Sequence, residues 1–282
     1  MLCIAWGLQQ VTIKLAAADV SLVMQAAIRS IVATALLLVW ARVRGIALFG
    51  ADGTLRAGLA AGALFAAEFV LIYGGLAFTT ASRMIVFVYT TPCFTALMLP
   101  WFVRSERLSG RQWTGVFLAF AGIFAAFGEG FLSADGGTLV GDLCGVLAAF
   151  LWATTIVLIR ATRLAHASAT KTLFYQLAVS AAVLPAVSIA LGEPGIVRLT
   201  PLTVSLLAYQ GALVAFASYL AWFWLLTRYL AARLSVFTSL TPLFGVLFGV
   251  ALLDERITWV FAAAALLVAG GIALVNWSGR RR

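Results

Sequence analysis

Residues 83–94 read RMIVFVYTTPCF, and residues 233–244 read RLSVFTSLTPLF. Arg83, Phe87, Thr91, Pro92 and Phe94 therefore recur in step as Arg233, Phe237, Thr241, Pro242 and Phe244. After each copy comes a charged turn, Glu106-Arg107-Leu108 or Glu255-Arg256-Ile257, and then an apolar stretch holding Ala121-Gly122-Ile123 or Gly270-Gly271-Ile272. At a similar offset, Trp6 through Ile13-Lys14 matches Trp152 through Ile159-Arg160. The chain repeats itself, with halves at 1–130 and 131–282.

The repeating unit is made for lipid. Of 282 residues, 63% are hydrophobic and 10% charged, against roughly 45–50% and about 25% in a soluble domain. A spanning helix needs about 20 mainly apolar residues. Ten such runs are separated by short charged or Gly/Pro-rich breaks, at 2–17, 20–41, 57–78, 82–103, 111–128, 138–159, 169–191, 201–225, 232–253 and 257–277. The runs do not alternate in polarity as the strands of a membrane barrel do, so they are read as helices. The expectation is an all-α membrane protein of ten transmembrane helices in two five-helix repeats. An odd number of spans per half makes the second copy enter from the opposite face, so the repeats are expected to be inverted in topology. The first run has no basic flank or cleavage site ahead of it and reads as a retained helix.

Lys and Arg gather on the cytoplasmic side of membrane proteins. Summed over alternate loops, Arg42, Arg44, Arg56, Arg104, Arg107, Arg111, Arg160, Arg163, Lys171, Arg228, Arg233 and Arg280 to Arg282 fall on one side. Lys14, Arg83, Arg198 and Arg256 fall on the other, and Arg29 lies within a span. Both termini are expected in the cytoplasm. The net charge of +9 is scattered over these loops and not clustered on one soluble face, which argues against a nucleic-acid partner.

Inverted repeats are a recurring build of secondary transporters, with the solute site near the midplane between the halves. Pro92 and Pro242 each lack an N–H and crowd the carbonyls of Val88 and Thr238, so each helix is expected to kink inside the membrane and to act as a hinge or cavity wall. Thr91, Thr241 and Thr238 are placed to satisfy the freed groups.

Glu68 lies near the middle of the third span, where an ionised side chain costs about 3 kcal/mol or more. It is either a contact for a solute amine or proton, or a buried structural acid, neutral or paired with Arg29 or Lys14. Trp101, Trp113, Trp259 and Trp277 lie at span ends and read as interfacial belt residues. Cys3, Cys93 and Cys144 fall inside spans and read as packing residues, not a disulfide framework. The sole histidine, His166, has no metal-ligand neighbours, and neither a zinc-protease motif nor a nucleophile with its base is present. An enzyme is therefore not expected, nor a metal or cofactor. No ring of like charges or filter-like loop marks a channel.

In its Trp6-Gly7 start, the Pro92 and Pro242 helices, the Glu106-Arg107-Leu108 and Asp254-Glu255-Arg256-Ile257 turns and the glycine-bearing last span of each half, the chain resembles the drug/metabolite transporter superfamily. The likeness is to its ten-helix EamA-type branch, and most of all to bacterial exporters of aromatic amino acids. The resemblance implies an exporter in the bacterial inner membrane, moving small organic metabolites such as amino acids, aromatic ones included, by alternating access. It implies a central cavity lined by helices 1, 3, 4, 6, 8 and 9. Trp6, Gln9, Gln10, Glu68, Tyr73, Phe87, Tyr89, Trp152, Thr155, Trp222 and Phe237 would then lie near the solute path. Other metabolites or drugs could be the cargo of the same fold. Small multidrug members of the superfamily keep an essential Glu in their first helix; this chain offers Gln9, Gln10 and Lys14 there, a departure that speaks against their kind of proton coupling.

Overall fold

The structure, a computed structural model, describes residues 1–50, 52–102, 108–132, 137–228 and 240–276. Arg233, Phe237, Thr238, Trp277 and the start of the Glu106-Arg107-Leu108 turn lie outside these ranges. In chain order the helices are α1 (Leu2–Ala16), α2 (Leu22–Val43), α3 (Leu55–Gly75), α4 (Ala81–Val88), α5 (Thr91–Phe102), α6 (Gly110–Leu132), α7 (Gly137–Ala161), a 3-10 turn (Arg163–His166), α8 (Ala169–Ala190) and α9 (Pro201–Ala208). A π-helical stretch (Tyr209–Ser218) then runs into α10 (Tyr219–Arg228), followed by α11 (Thr241–Leu253) and α12 (Trp259–Asn276). Among the described residues, Val20 and Ile196 form an isolated antiparallel β-bridge.

Helix starts follow local chemistry. Thr80, Ser168 and Thr200 sit at N-caps and accept from the backbone N–H of Arg83, Lys171 and Thr203, and Pro201 occupies the first turn of α9, where no N–H is needed.

Among the described residues, seven segments are long and apolar enough to cross a membrane: Leu22–Val43, Leu55–Gly75, Ala81–Phe102, Gly137–Ala161, Ala169–Ala190, Pro201–Trp222 and Trp259–Asn276. Seven of the expected stretches overlap these segments, those at 2–17 and 111–128 overlap α1 and α6, and of the stretch 232–253 the described part holds α11. At 15 and 13 residues, α1 and α11 are shorter than the roughly 20 of a full crossing. The apolar exterior is what lipid requires: Leu38, Phe117, Phe124 and Leu266 stand exposed, and Trp101 and Trp259, 86% and 91% exposed, ring the helix ends. These features make the chain an integral membrane protein.

Packing is close where side chains are small. A Cβ added to Gly115 of α6 would lie 2.7 Å from the carbonyl oxygen of Gly271 in α12. One added to Gly7 of α1 would lie 2.9 Å from the backbone nitrogen of Gly245 in α11. Both seams use the backbone approach that glycine permits between membrane helices. One buried cluster joins α2, α3 and α8 through residues such as Ala33, Phe65, Phe69 and Leu177. A second joins α4, α6 and α12 through Ile85, Ala119, Ile123 and Val268.

Candidate functional site

Polar groups converge inside the bundle. On α3, Phe65, Glu68, Phe69, Ile72 and Tyr73 are buried on one stripe, the spacing of a helix face. The Tyr73 hydroxyl donates to Gln210 Oε1 at 3.1 Å, Gln210 Nε2 donates to Gln25 Oε1 at 3.1 Å, and Gln25 Nε2 donates to the carbonyls of Ile13 and Val20. This chain of amides ties α1, α2, α3 and the π-helical stretch. Gln25 and Gln210 belong to no motif; their signal is only that an amide inside an apolar span needs a partner.

Beside it, Arg29 of α2 is wholly buried. Its guanidinium carbon lies 4.0 Å from the Phe69 ring centroid, and its Nη2 donates to the Tyr219 hydroxyl at 3.2 Å. Its Nε and Nη1 have no hydrogen-bond partner, nor has Oε2 of buried Glu68 or Oε1 of buried Gln10. Arg29 and Glu68 lie within electrostatic range of each other and of the Tyr219 phenol. Neither takes part in any of the ion pairs found among the described residues. Lys14, the other partner expected for Glu68, is half-buried near the end of α1, within electrostatic range of Glu255.

The aromatic candidates fall into pairs. Trp6 Nε1 donates to Ser218 Oγ at 2.8 Å while its ring meets Trp222 edge-on at 5.5 Å. Tyr89 and Trp152 meet edge-on at 6.1 Å. Gln9 is buried beside the Tyr73 phenol. Thr155 is buried and returns its hydroxyl to the carbonyl of Leu151 within its own helix. Phe87 is fully buried in the second cluster, 5.4 Å from Phe127 and beneath Arg83, so its surroundings are packed side chains. Phe237 lies outside the described residues.

Pro92 stands where a crossing is interrupted. α4 ends at Val88, Tyr89 and Thr90 leave the helix, and α5 resumes at Thr91 with Pro92 in its first turn. The Thr91 hydroxyl donates to the Val88 carbonyl at 2.7 Å, the very group Pro92 cannot serve, and the Thr90 hydroxyl donates to the Phe87 carbonyl at 2.6 Å. Pro242 sits in the first turn of α11, buried, after a turn at Leu240.

One end of the bundle is held by charge. Arg83 Nε donates to both oxygens of Asp142 at 3.1 Å, Nη1 to Glu129 at 3.0 Å, and Nη2 to Asp142 at 2.5 Å and to the Ala126 carbonyl at 2.8 Å. Thr79 donates to Asp142, and Thr258 to Glu129. Glu255 accepts from the backbone of Ala81 and Ser82 at 2.7 and 3.0 Å, where the start of α4 favours an anion. Glu193 does the same for Val23 and Met24 of α2 at 3.0 and 3.1 Å. Asp19 accepts from Thr203, Thr200 and Arg198, and these bonds, that of Thr203 foremost, hold its carboxyl below the usual carboxylate range. At the other end Lys171 meets Asp52 at 2.6 Å and, with Thr54, lowers its carboxyl too. Nothing in the sequence marks Arg83 as buried except that it heads the recurring motif.

Two open recesses lie elsewhere. One of about 720 Å³ is lined by Leu97, Pro100, Trp101, Phe102 and Trp113 and bears no charge. The other, of about 640 Å³, is lined by Arg56, Arg160, Arg163 and His166. Neither includes an expected site residue. Among the described residues no group of three or more His, Cys, Asp or Glu is placed to hold a metal ion.

An all-helical bundle with an apolar exterior and amides, charges and rings turned inward is an integral membrane protein built around an internal polar site. The chain belongs to the EamA-like transporter family, whose sequence profile matches residues 1–128 and 139–277. It is 28% identical over 214 residues to an uncharacterized transporter of Archaeoglobus fulgidus, covering 76% of this chain and 71% of that one. It is 26% identical over 213 residues to the uncharacterized transporter YoaV of Bacillus subtilis, covering 76% and 72%. To a probable amino-acid metabolite efflux pump of Escherichia coli it is 24% identical over 225 residues, covering 76% and 74%. A solved crystal structure aligns at a TM-score of 0.68 with 19% identity, over 97% of this chain and 94% of that one, a likeness of fold. These names are those of transporters and not of enzymes.

Proposed function

We propose that the chain is a secondary carrier that exports small organic metabolites, amino acids including aromatic ones, by alternating access around a chamber between two inverted five-helix halves, residues 1–130 and 131–282. The observation that carries this reading is the inward convergence of groups from both halves. Trp6 joins Ser218 and Trp222, Tyr73 joins Gln210, Tyr89 joins Trp152, and Arg29 joins Tyr219. A bundle held only by packing has no use for polar groups there, since each is costly in lipid.

The packing pattern supports the two-fold plan. α2 lies on α8, α4 on α11 and α6 on α12, each crossing on its counterpart, and the contact of α1 with α11 is answered by that of α7 with α4 and α5. The two matched stretches of the family profile fall one in each half. The amino-acid cargo draws on the efflux-pump relative, and the placing of both termini in the cytoplasm of a bacterial inner membrane draws on the loop charges. Small-molecule solute and membrane lipid are the only partners this role requires.

The test is uptake and counterflow in proteoliposomes with labelled tryptophan and phenylalanine, with and without a proton gradient. Saturable uptake accelerated by unlabelled solute on the far side is expected. Flux linear in the gradient and indifferent to trans solute would mean a pore. Movement of an unrelated metabolite or drug with neither amino acid would refute the cargo but keep the carrier.

A further inference from the structure

Arg29 and Glu68 are the two ionisable side chains whose buried atoms lack partners among the described residues. A guanidinium carries five N–H donors. The structure gives this one a single hydrogen bond, to Tyr219, and a ring beneath it, Phe69. Nε and Nη1 remain unmet on a side chain with no exposure. Glu68, 3% exposed, keeps Oε2 unmet. A polar or charged group left unmet inside a membrane bundle is among the least favourable arrangements a chain can adopt, unless something else satisfies it. The simplest remedy, a direct ion pair between the two, is not taken, although each lies in the field of the other.

We propose that Arg29 and Glu68 are the two poles of a clamp for a zwitterionic solute, the guanidinium receiving its carboxylate and the Glu68 carboxylate receiving its ammonium group. This rests on the carrier reading above and names the chemistry its site recognises. A solute bearing only a carboxylate leaves Glu68 unmet, and one bearing only an amine leaves Arg29 unmet. A free amino acid meets both, and a planar carboxylate suits the guanidinium fork. The unmet Oε1 of Gln10 is a further acceptor for an ammonium hydrogen. Tyr219, bound to Arg29 and within the field of Glu68, stands beside both poles. The paired rings of Trp6 with Trp222 and of Tyr89 with Trp152 offer apolar surface for the side chain.

The test uses three probes that share one ring: phenylalanine, its decarboxylated amine phenethylamine, and its deaminated acid 3-phenylpropionate. Each competes against labelled phenylalanine counterflow in proteoliposomes of the full chain, and each is titrated onto detergent-purified protein by its thermal shift. In the wild type each one-pole analogue should compete at least about tenfold less well than phenylalanine, because a site built to bond a group rejects the analogue lacking it. Arg29→Gln should weaken phenylalanine and the acid but leave the amine unchanged. Glu68→Gln should weaken phenylalanine and the amine but leave the acid unchanged. Equal competition by all three probes in the wild type overturns the clamp, as does an equal loss of all three in both variants. If a variant fails to fold, the wild-type ranking alone still decides. Should the wild type move no amino acid at all, the carrier's cargo assignment fails; should it move phenylalanine without preferring two poles, only the clamp fails.

Discussion

Two arginines lie in this bundle with opposite surroundings. Every nitrogen of the Arg83 side chain has a protein partner, while two of the three on Arg29 have none. Arg83→Met would leave Asp142, which has no exposure, as an uncompensated buried charge. It should cost about 3–5 kcal/mol, the usual penalty for breaking a buried pair from one side. Arg29→Met removes a charge met by one phenol and one ring but by no carboxylate, and should hold or gain stability, since a well-packed apolar side chain is often neutral or better at such a site. Thermal unfolding in detergent of the two variants beside the wild type checks both. Arg29→Met melting as low as Arg83→Met would make Arg29 a structural residue.

At the scale of the helix, the interruption at Tyr89 and Thr90 is the feature most directly readable from residues. A proline inside an apolar run breaks one hydrogen bond, and a threonine beside it supplies the substitute, which the Thr91 to Val88 bond does. Where both ends are described, the expected stretches meet the observed helices to within a few residues, because those runs are bounded by Gly, Pro or charge; the start of the stretch 232–253 lies outside the described residues. The candidate site is less legible. Trp6, Glu68, Tyr73, Tyr89, Trp152 and Trp222 carry their position in the polarity of a single residue within an apolar span. Phe87 carries no such signal, because a phenylalanine looks the same in sequence whether it lines a path or fills a core. Gln25, Gln210 and Tyr219 take their meaning from partners more than a hundred residues away, or across two helices, and no local pattern reports such a contact. The double substitution Pro92→Ala with Pro242→Ala should impair transport more than it lowers protein yield. Equal loss of both would mean that the prolines serve packing alone.

For the molecule as a whole, the end of the bundle that carries Asp19, Glu129, Glu193 and Glu255 is tied together by carboxylates that accept from other helices. If the proposed alternating access opens the bundle at this end, it has to part these bonds. Asp19 and Asp52 both have carboxyls held below their usual range. A depressed folded-state value contributes stability that is fully present above the unfolded value, about 3.9 for an aspartate, and that is lost as pH falls through the folded one. Melting temperature should therefore stay level from neutrality down to about pH 4 and drop in stronger acid. Asp19→Asn should flatten part of that drop, and an unchanged acid slope would show that the tie at Asp19 does not matter to stability. The π-helical stretch at Tyr209–Ser218 sets a rotational phase for everything after it. A wide turn holds more residues than an α-helical one does, so deleting one residue there would spin α10 by roughly 80–100°. Trp222 would swing off Trp6, and a one-residue change in length would rewrite one wall of the interior while every residue of α10 kept its identity.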